Sequence, residues 1–241
     1  MRTALVTGAA RRIGRAVATH LANSGFEVAV HCHRSVAEGE ALVGSLQEAG
    51  HSAFAVTGDL SDEHACQNIV AQVLTRTKHL DVLVQSASTF TEDSVMSFSY
   101  ADLEGHIKVN AFAPLILARA FAGRLHGGSI IHFLDSRVVD YDAQHASYHL
   151  SKRVFDAVTR MLAVELAPDV RVNAIAPGLI LPPKGLGNAY VEMRKQEVPL
   201  KRQGTLDEIC LAVDFLMANG FVTGQTIFVD GGRHLKGAFY G

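Results

Sequence analysis

The stretch Thr3-Ala4-Leu5-Val6-Thr7-Gly8-Ala9-Ala10-Arg11-Arg12-Ile13-Gly14 decides the fold of this chain. Thr3 to Val6 is a short apolar strand. From Arg12 to Ser24 the residues Ile13, Val17 and Leu21 fall on one face at helical spacing. Between strand and helix, Gly8 allows a tight turn and Gly14 lets the helix pack close to the sheet. The helix N-terminus offers unpaired N–H groups and a partial positive charge, which suit a pyrophosphate. A glycine pair can also belong to an ordinary strand–helix turn. Its place between a strand and a helix favours dinucleotide binding here.

Working outward, strands and helices alternate. Strands are expected at Phe26 to His31, Ser52 to Thr57, Asp81 to Val84, Ser129 to Leu134, Val170 to Ile175 and Thr226 to Val229. Helices are expected at Val36 to Ala49, Asp62 to Arg76 with Ser61 as its cap, Asp102 to Arg124, Gln144 to Ala167 and Leu206 to Met217. Pro114 should kink or split the fourth helix. The strands are uniformly apolar, as expected when helices cover both faces of a parallel sheet. No internal repeat or linker interrupts residues 1–241, which predicts a single α/β domain. Leu179 to Gln203, with Pro182, Pro183, Gly185 and Gly187, is the least regular stretch. A long loop of this kind is often functional.

Composition excludes several classes. The 22 basic and 24 acidic residues nearly balance, so neither nucleic acid nor an anionic membrane surface is an expected partner. No apolar run is long enough to span a bilayer, and Met1 leads almost directly into a strand, so no signal peptide is expected. Three widely spaced cysteines read as reduced thiols of a cytoplasmic protein. His31 and His33 flank Cys32, but no further ligand cluster at metal spacing accompanies them, so no metal is expected.

The chemistry concentrates elsewhere. Tyr148 and Lys152, at i and i+4, share a helix face, and Asp135 precedes the tyrosine by thirteen positions. An ammonium beside a phenol should lower the phenol pKa and prepare it for proton transfer. At the end of the second strand, a reader of a ribose 2′-hydroxyl would be Asp or Glu. This chain has His33-Arg34-Ser35 instead, a donor cluster suited to a 2′-phosphate, with Arg11 and Arg12 nearby. A solvated basic turn is the alternative. The missing carboxylate favours NADPH over NADH.

These features resemble those of the short-chain dehydrogenase/reductases over the whole chain. The resemblance rests on Gly8 to Gly14, Gly58-Asp59-Leu60, Val109-Asn110-Ala111, Tyr148-x-x-x-Lys152, Pro177-Gly178, Thr223-Gly224-Gln225 and Asp230-Gly231-Gly232. It implies a Rossmann-like, doubly wound parallel sheet of about seven strands with helices on both faces, usually assembled as a homotetramer. Tyr148 would then donate or accept the proton. Lys152 would bind the nicotinamide ribose and tune the tyrosine, and Asn110 would support a relay water. Asp59 and Leu60 would border the adenine, and Pro177 and Gly178 would line the nicotinamide. Ile13 and Ala87 would also contact the cofactor, and residues 179–203 would cover the substrate.

Three departures narrow the reading. Arg12 replaces the middle glycine of the turn. Gln85-Ser86-Ala87-Ser88, followed by Thr89-Phe90, replaces the usual Asn-Asn-Ala-Gly. Asp135 replaces the usual catalytic serine. All three resemble the pteridine reductase branch. The segments Ile130 to Asp135 and Phe221 to Leu235 are similar to those of bacterial dihydromonapterin reductases, which also reduce dihydrofolate.

The resemblance implies NADPH-dependent reduction of a dihydropterin, either dihydromonapterin or dihydrofolate, with a hydride to C6 and a proton to N5. Phe90 would stack on the pterin. Arg12 and Ser88 would bond the pterin edge or the cofactor phosphates. Asp135 with Tyr148 would relay the proton. Asp135 could instead be a capping or salt-bridge carboxylate, and Phe90 a core aromatic. Ser136, Tyr141 and His145 lie near this group without entering it. Arg233, His234 and Lys236 are candidates to approach a neighbouring subunit's pocket. Two other functions stay open: a 3-oxoacyl thioester reductase using Ser136 after a one-residue shift, and a non-enzymatic dinucleotide sensor.

Overall fold

The computed structural model describes residues 1–123, 127–183 and 185–236. Seven strands form one parallel sheet: β1 Thr3–Thr7, β2 Glu27–Cys32, β3 Ala53–Thr57, β4 Val82–Gln85, β5 Gly128–Phe133, β6 Val170–Pro177 and β7 Thr226–Val229. Their order is β3-β2-β1-β4-β5-β6-β7. Every residue of β1 is buried, because helices cover both faces. On one face α1 (Arg12–Asn23), α2 (Val36–Glu48) and α8 (Leu206–Ala218) pack Val17, Leu21, Leu42 and Val213 against β1 and β2. On the other, α3 (Glu63–Arg76), α5 (Ala113–Ala122) and α6 (Ala146–Glu165) pack Ile69, Leu117, Phe121 and Leu162 against the same sheet.

The strand order reverses between β1 and β4, where Thr7 pairs with Gln85. A crevice beyond the carboxyl ends of strands at such a switch point is where α/β sheets bind ligands. Gly8 stands on one side of it and Ser86 to Ser88 on the other. Thr7 Oγ1 holds the two together by accepting from Ser86 N (3.1 Å) and Ala87 N (3.3 Å).

The local chemistry corrects several sequence expectations. Ser61 does not cap α3. Asp62 does, accepting from Ala65 N at 2.6 Å, while Ser61 bonds Asp59 instead. The helix expected at Asp102 starts at Tyr100, behind a Ser99–Asp102 capping box. It runs as α4 (Tyr100–Ile107), opens into a π-helical turn at Lys108–Phe112, and continues as α5. Pro114 accounts for the break, since it lacks an N–H for the Asn110 carbonyl four residues back and its ring would clash there. The expected end at Arg124 lies outside the described residues. α6 begins at Ala146, two residues later than Gln144. Residues 179–203 are less irregular than their prolines suggest, containing α7 (Asn188–Arg194) and a 3₁₀ turn at Lys195–Glu197. No helix among the described residues is long and apolar enough to cross a membrane.

Candidate active site

The turn after β1 is tightly packed and depends on its glycines. Gly8 has φ +65°, and a Cβ there would meet Ala87 Cα at 2.8 Å. A Cβ on Gly14 would lie 2.4 Å from the Gly8 carbonyl oxygen. Both positions therefore need glycine, and α1 starts tight against the sheet. Its N-cap, Arg11, makes no side-chain cap bond, so the cap residue's side chain gives the first-turn amides no acceptor. Arg12 retains φ +55°, the left-handed conformation for which glycine is usual. Its guanidinium bonds the Pro182 carbonyl at 2.9 Å and reaches the Leu181 carbonyl at 3.5 Å. Arg12 thus ties this turn to the loop after β6 through Nη2. Arg11 pairs with Glu38.

His31, considered above only as half of a metal pair, braces this turn. Its Nδ1 accepts from Gly8 N at 3.4 Å, and its Nε2 lies 3.2 Å from the Gly58 carbonyl. These partners fix the tautomer with the proton on Nε2. Burial lowers its pKa to about 4, so the ring is neutral. Next to it, exposed His33 and Arg34 face Asp59, with His33 Nδ1 3.6 Å from Asp59 Oδ1. The Ser61 backbone N–H holds the Asp59 carboxyl below its usual range, with smaller help from His33 and Arg34. Ser35 precedes α2 without capping it. Buried Leu60 continues this wall, and Ile13 packs against the core beneath the turn.

Across the crevice, α6 and the end of β5 bring together Asp135, Tyr148 and Lys152. Tyr148 Oη donates to Asp135 Oδ2 at 2.9 Å. Asp135 Oδ1 accepts from Arg137 N at 2.8 Å and so caps the 3₁₀ turn Ser136–Val139. The capping role and the tyrosine contact coexist, one on each carboxylate oxygen. Lys152 Nζ donates to the Phe133 carbonyl at 2.8 Å, which pins the strand end just before Asp135. Burial lowers the Lys152 pKa to about 8, with Asp135 opposing the shift. The Tyr148 shift is opposite to the sequence expectation. Burial, and then the Asp135 carboxylate, push the phenol well above its ordinary value. Lys152 Nζ stands 5.7 Å from the Tyr148 ring centroid and does not overcome this. In this state Tyr148 is a neutral phenol that keeps its proton and donates it in a hydrogen bond.

Asn110 sits on the π-helical turn and is fully buried. Its Nδ2 donates to Ser151 Oγ and to the Thr89 carbonyl, both at 3.0 Å. Its Oδ1 accepts from Thr89 N at 2.8 Å and Ser88 Oγ at 3.1 Å. Asn110 therefore staples the segment after β4 to α6. The Ser88 hydroxyl, expected to meet substrate, is engaged with Asn110. Phe90 follows, half exposed, with its ring 4.7 Å from that of Tyr148 in an edge-on arrangement. It is not a core aromatic.

Phe90 also stacks on His145 at 4.2 Å and 18°. His145 Nδ1 bonds Asp142 Oδ1 at 2.9 Å, and Asp142 N donates to His149 Nε2 at 3.3 Å. These three side chains bring ligand-type atoms within 4.8 Å of one another. Arg137 stands 3.5 Å from Asp142 Oδ2, and the cluster holds the Asp142 carboxyl down at about 2. Asp142, His145 and His149 fall within eight residues leading into α6, whereas Phe90 comes from the segment after β4. Tyr141 is exposed, whereas Ser136 is buried. Gly178 packs on Asp230, where a Cβ would meet the Asp230 Cβ at 2.5 Å. A cavity of about 450 Å³ lies among Leu179, Ile180, Val198, Leu200, Phe228 and Gly231. None of Asn110, Asp135, Tyr148 and Lys152 lines it.

Known proteins match this arrangement along its length. The family profile described as enoyl-(acyl carrier protein) reductase covers residues 8–234. Dihydromonapterin reductase of Citrobacter koseri is 32% identical over 239 residues, spanning 96% of this chain and 96% of its own. The 3-oxoacyl-[acyl-carrier-protein] reductase FabG of Staphylococcus aureus is 31% identical over 242 residues, spanning 97% and 98%. The crystal structure of FolM alternative dihydrofolate reductase 1 from Brucella suis, in complex with NADP, superposes with a TM-score of 0.92 at 39% identity, covering 97% of this chain and 95% of that one.

Proposed function

The chain belongs to the short-chain dehydrogenase/reductase family, and within it we propose that it is an NADPH-dependent reductase that takes a dihydropterin, dihydromonapterin or dihydrofolate, to its tetrahydro form. The observation that carries the substrate reading is the Tyr148 Oη–Asp135 Oδ2 hydrogen bond. A carbonyl reductase needs two neutral hydroxyl donors aimed at one oxygen. Here one of those positions is a carboxylate, which cannot donate when ionised but can accept and pass a proton. A ring nitrogen that must be protonated suits such a pair. The similarity to the Citrobacter koseri and Brucella suis enzymes supports the same reading.

The donor set fits the cofactor: a glycine cradle that Cβ atoms would fill, an uncapped helix N-terminus, and the His33–Arg34 cluster for a 2′-phosphate. When bound, NADPH supplies the hydride. The chain's own residues do the rest. Tyr148 holds a proton on Oη, kept there by burial and by Asp135. Asp135, fixed by the Arg137 N–H, orients that phenol and exchanges protons with it towards the pterin N5. Lys152 and Asn110 fix the strand end and the Ser88–Thr89 segment around it. Phe90 offers a half-exposed ring for the flat heterocycle.

NADPH oxidation on dihydromonapterin, dihydrobiopterin, dihydrofolate, folate and a β-ketoacyl thioester tests the proposal. Turnover on dihydropterins is expected. Asp135→Ser should lower it by about 100-fold with the NADPH Kd unchanged, and undiminished turnover removes Asp135 from the mechanism. One observation favours a second reading, 3-oxoacyl thioester reduction. Ser136 is buried and its Oγ has no partner among the described residues. Activity on the thioester alone would select that reading.

We also propose the homotetramer implied by the family resemblance. Leu150, Val154, Ala157, Met161 and Val164 form a stripe along α6, and Leu150, Met161 and Val164 in it are exposed. A stripe at this spacing fits a second helix. Light scattering tests the assembly.

A further inference from the structure

Arg137 and Arg233 lie close to Asp135, Arg194 lies close to Arg233, and none of their guanidinium groups hydrogen-bonds Asp135, Tyr148 or Lys152 among the described residues. Arg233 opens the 3₁₀ turn Arg233–Leu235, which follows β7. Asp230 holds this turn rigidly. It is buried, and it accepts from Gly232 N at 2.9 Å, His234 N at 2.7 Å and His234 Nδ1 at 2.9 Å. His234 stacks on Phe228 at 3.9 Å, which fixes the turn further. The turn packs against Ser136–Val139, whose cap is Asp135. Arg233 therefore stands beside this chain's own site.

Its guanidinium is partly buried and interacts electrostatically with Arg137, Asp135, Glu197 and Arg194. No residue among those described accepts a hydrogen bond from it. Arg194 spends Nη1 on Glu197 at 2.7 Å, while its Nε is buried without a partner. Arg137 sits 3.5 Å from Asp142 Oδ2. Three carboxylates lie near the three guanidinium groups: Asp142 beside Arg137, Glu197 bonded to Arg194, and Asp135 already accepting from Tyr148 Oη and Arg137 N, which leaves Arg233 without an acceptor among the described residues. A guanidinium carries five fixed donors and stays charged. Leaving one half buried with no acceptor is costly unless a ligand supplies it.

We propose that Arg233, flanked by Arg137 and Arg194, is a carboxylate-recognition site that reads the anionic tail of a folate-type substrate, while Asp135 and Tyr148 serve its ring. The proposal rests on the dihydropterin reading above and sharpens it. An aminobenzoyl-glutamate tail carries its carboxylates across a stiff spacer from the ring, so they fall at the rim and not at Tyr148. Planar carboxylates match the fork of a guanidinium. A pterin with a neutral polyol side chain gains nothing from this cluster.

The test compares the full-length wild type with Arg233→Gln on two substrates, with p-aminobenzoylglutamate as a probe. The KM for dihydrofolate should rise about tenfold while that for dihydromonapterin stays within about twofold. p-Aminobenzoylglutamate should inhibit dihydromonapterin reduction competitively in the wild type and lose this effect in the variant. An equal change on both substrates, or none on either, overturns the proposal. Calorimetric titration of p-aminobenzoylglutamate judges the site without turnover. If the wild type reduces neither pterin, the functional reading fails on its own, and binding abolished by Arg233→Gln still supports the site. Absence of binding to the wild type sinks it. Should Arg233→Gln not fold, Arg194→Gln carries the same comparison.

Discussion

The proposed phosphate turn and the proposed substrate wall face each other across one crevice, yet they are built by different means. Gly8 to Gly14 is a contiguous run whose backbone does the work. Two glycines make room, and buried His31 braces the turn from the next strand. The opposite wall draws Phe90, Asn110, Asp135, His145, Tyr148 and Arg233 from five separate segments, His145 being the N-cap of the helix that carries Tyr148, and its side chains do the work. A backbone site tolerates few substitutions and serves one cofactor shape. A side-chain site can be re-aimed one residue at a time, which is how one fold hosts many substrates. Variants on the two sides should therefore separate, one set acting on NADPH and the other on the pterin.

The largest separation is expected at Tyr148. Tyr148→Phe keeps the ring that contacts Phe90 and removes the proton held against Asp135. Loss of a positioned proton donor should lower kcat by about 1,000-fold while the NADPH Kd holds. Stopped-flow hydride transfer and a fluorescence titration of NADPH read the two quantities. Turnover within about tenfold of wild type would mean that another group delivers the proton, and His145, stacked on Phe90, would be the next residue to change.

How far each wall could be read from the chain follows from the same contrast. The strand–turn–helix at Thr3 to Gly14 was legible because every interaction that defines it is local. So was the seven-strand sheet, because strands buried on both faces are uniformly apolar. Tyr148 and Lys152 were visible at helical spacing, but the direction of the tyrosine's shift was not. It depends on burial and on Asp135, thirteen residues away and on another element. Arg12 kept the conformation of the glycine it replaces, while its guanidinium went to loop carbonyls 170 residues on. His31 had no role in the sequence reading because its partners, Gly8 and Gly58, are neighbours only across the sheet. α7 went unseen because the prolines and glycines just before it dominate the local pattern.

His31 offers the next test on the cofactor side, through stability. Its pKa is lowered from 6.5 to about 4 in the folded protein, so between these values the unfolded chain binds the extra proton. Stability from this residue is complete above about pH 6.5 and falls as pH drops through the window. The loss approaches an order of 3 kcal/mol below pH 4. His132, fully buried and lowered to about 3, acts in the same direction. His31→Gln should flatten the acid limb of urea midpoint against pH and leave the limb due to His132. It should also weaken NADPH through the Gly8 turn and spare the pterin KM. An unchanged acid limb would show that His31 does not control it.

The smallest effect is expected at Arg34, because this side chain is exposed and shares its task. Asp59 is held ionised chiefly by the Ser61 N–H, and it draws His33 to 3.6 Å, so the donors at the end of β2 are already oriented. Arg34 adds the one permanent charge among His33, Arg34 and Ser35. Arg34→Glu puts a carboxylate where a ribose hydroxyl, not a phosphate, would be welcome. His33 and Ser35 remain, so the preference for NADPH over NADH in kcat/KM should fall by about tenfold without inverting. The wild-type preference should also weaken in salt, since exposed charges are screened, and the variant should lose most of that salt dependence. A preference that survives Arg34→Glu intact would move the 2′-phosphate towards Arg11, whose guanidinium would then have to leave Glu38. The cofactor wall would in that case depend on a side-chain exchange of the kind that otherwise marks only the substrate wall.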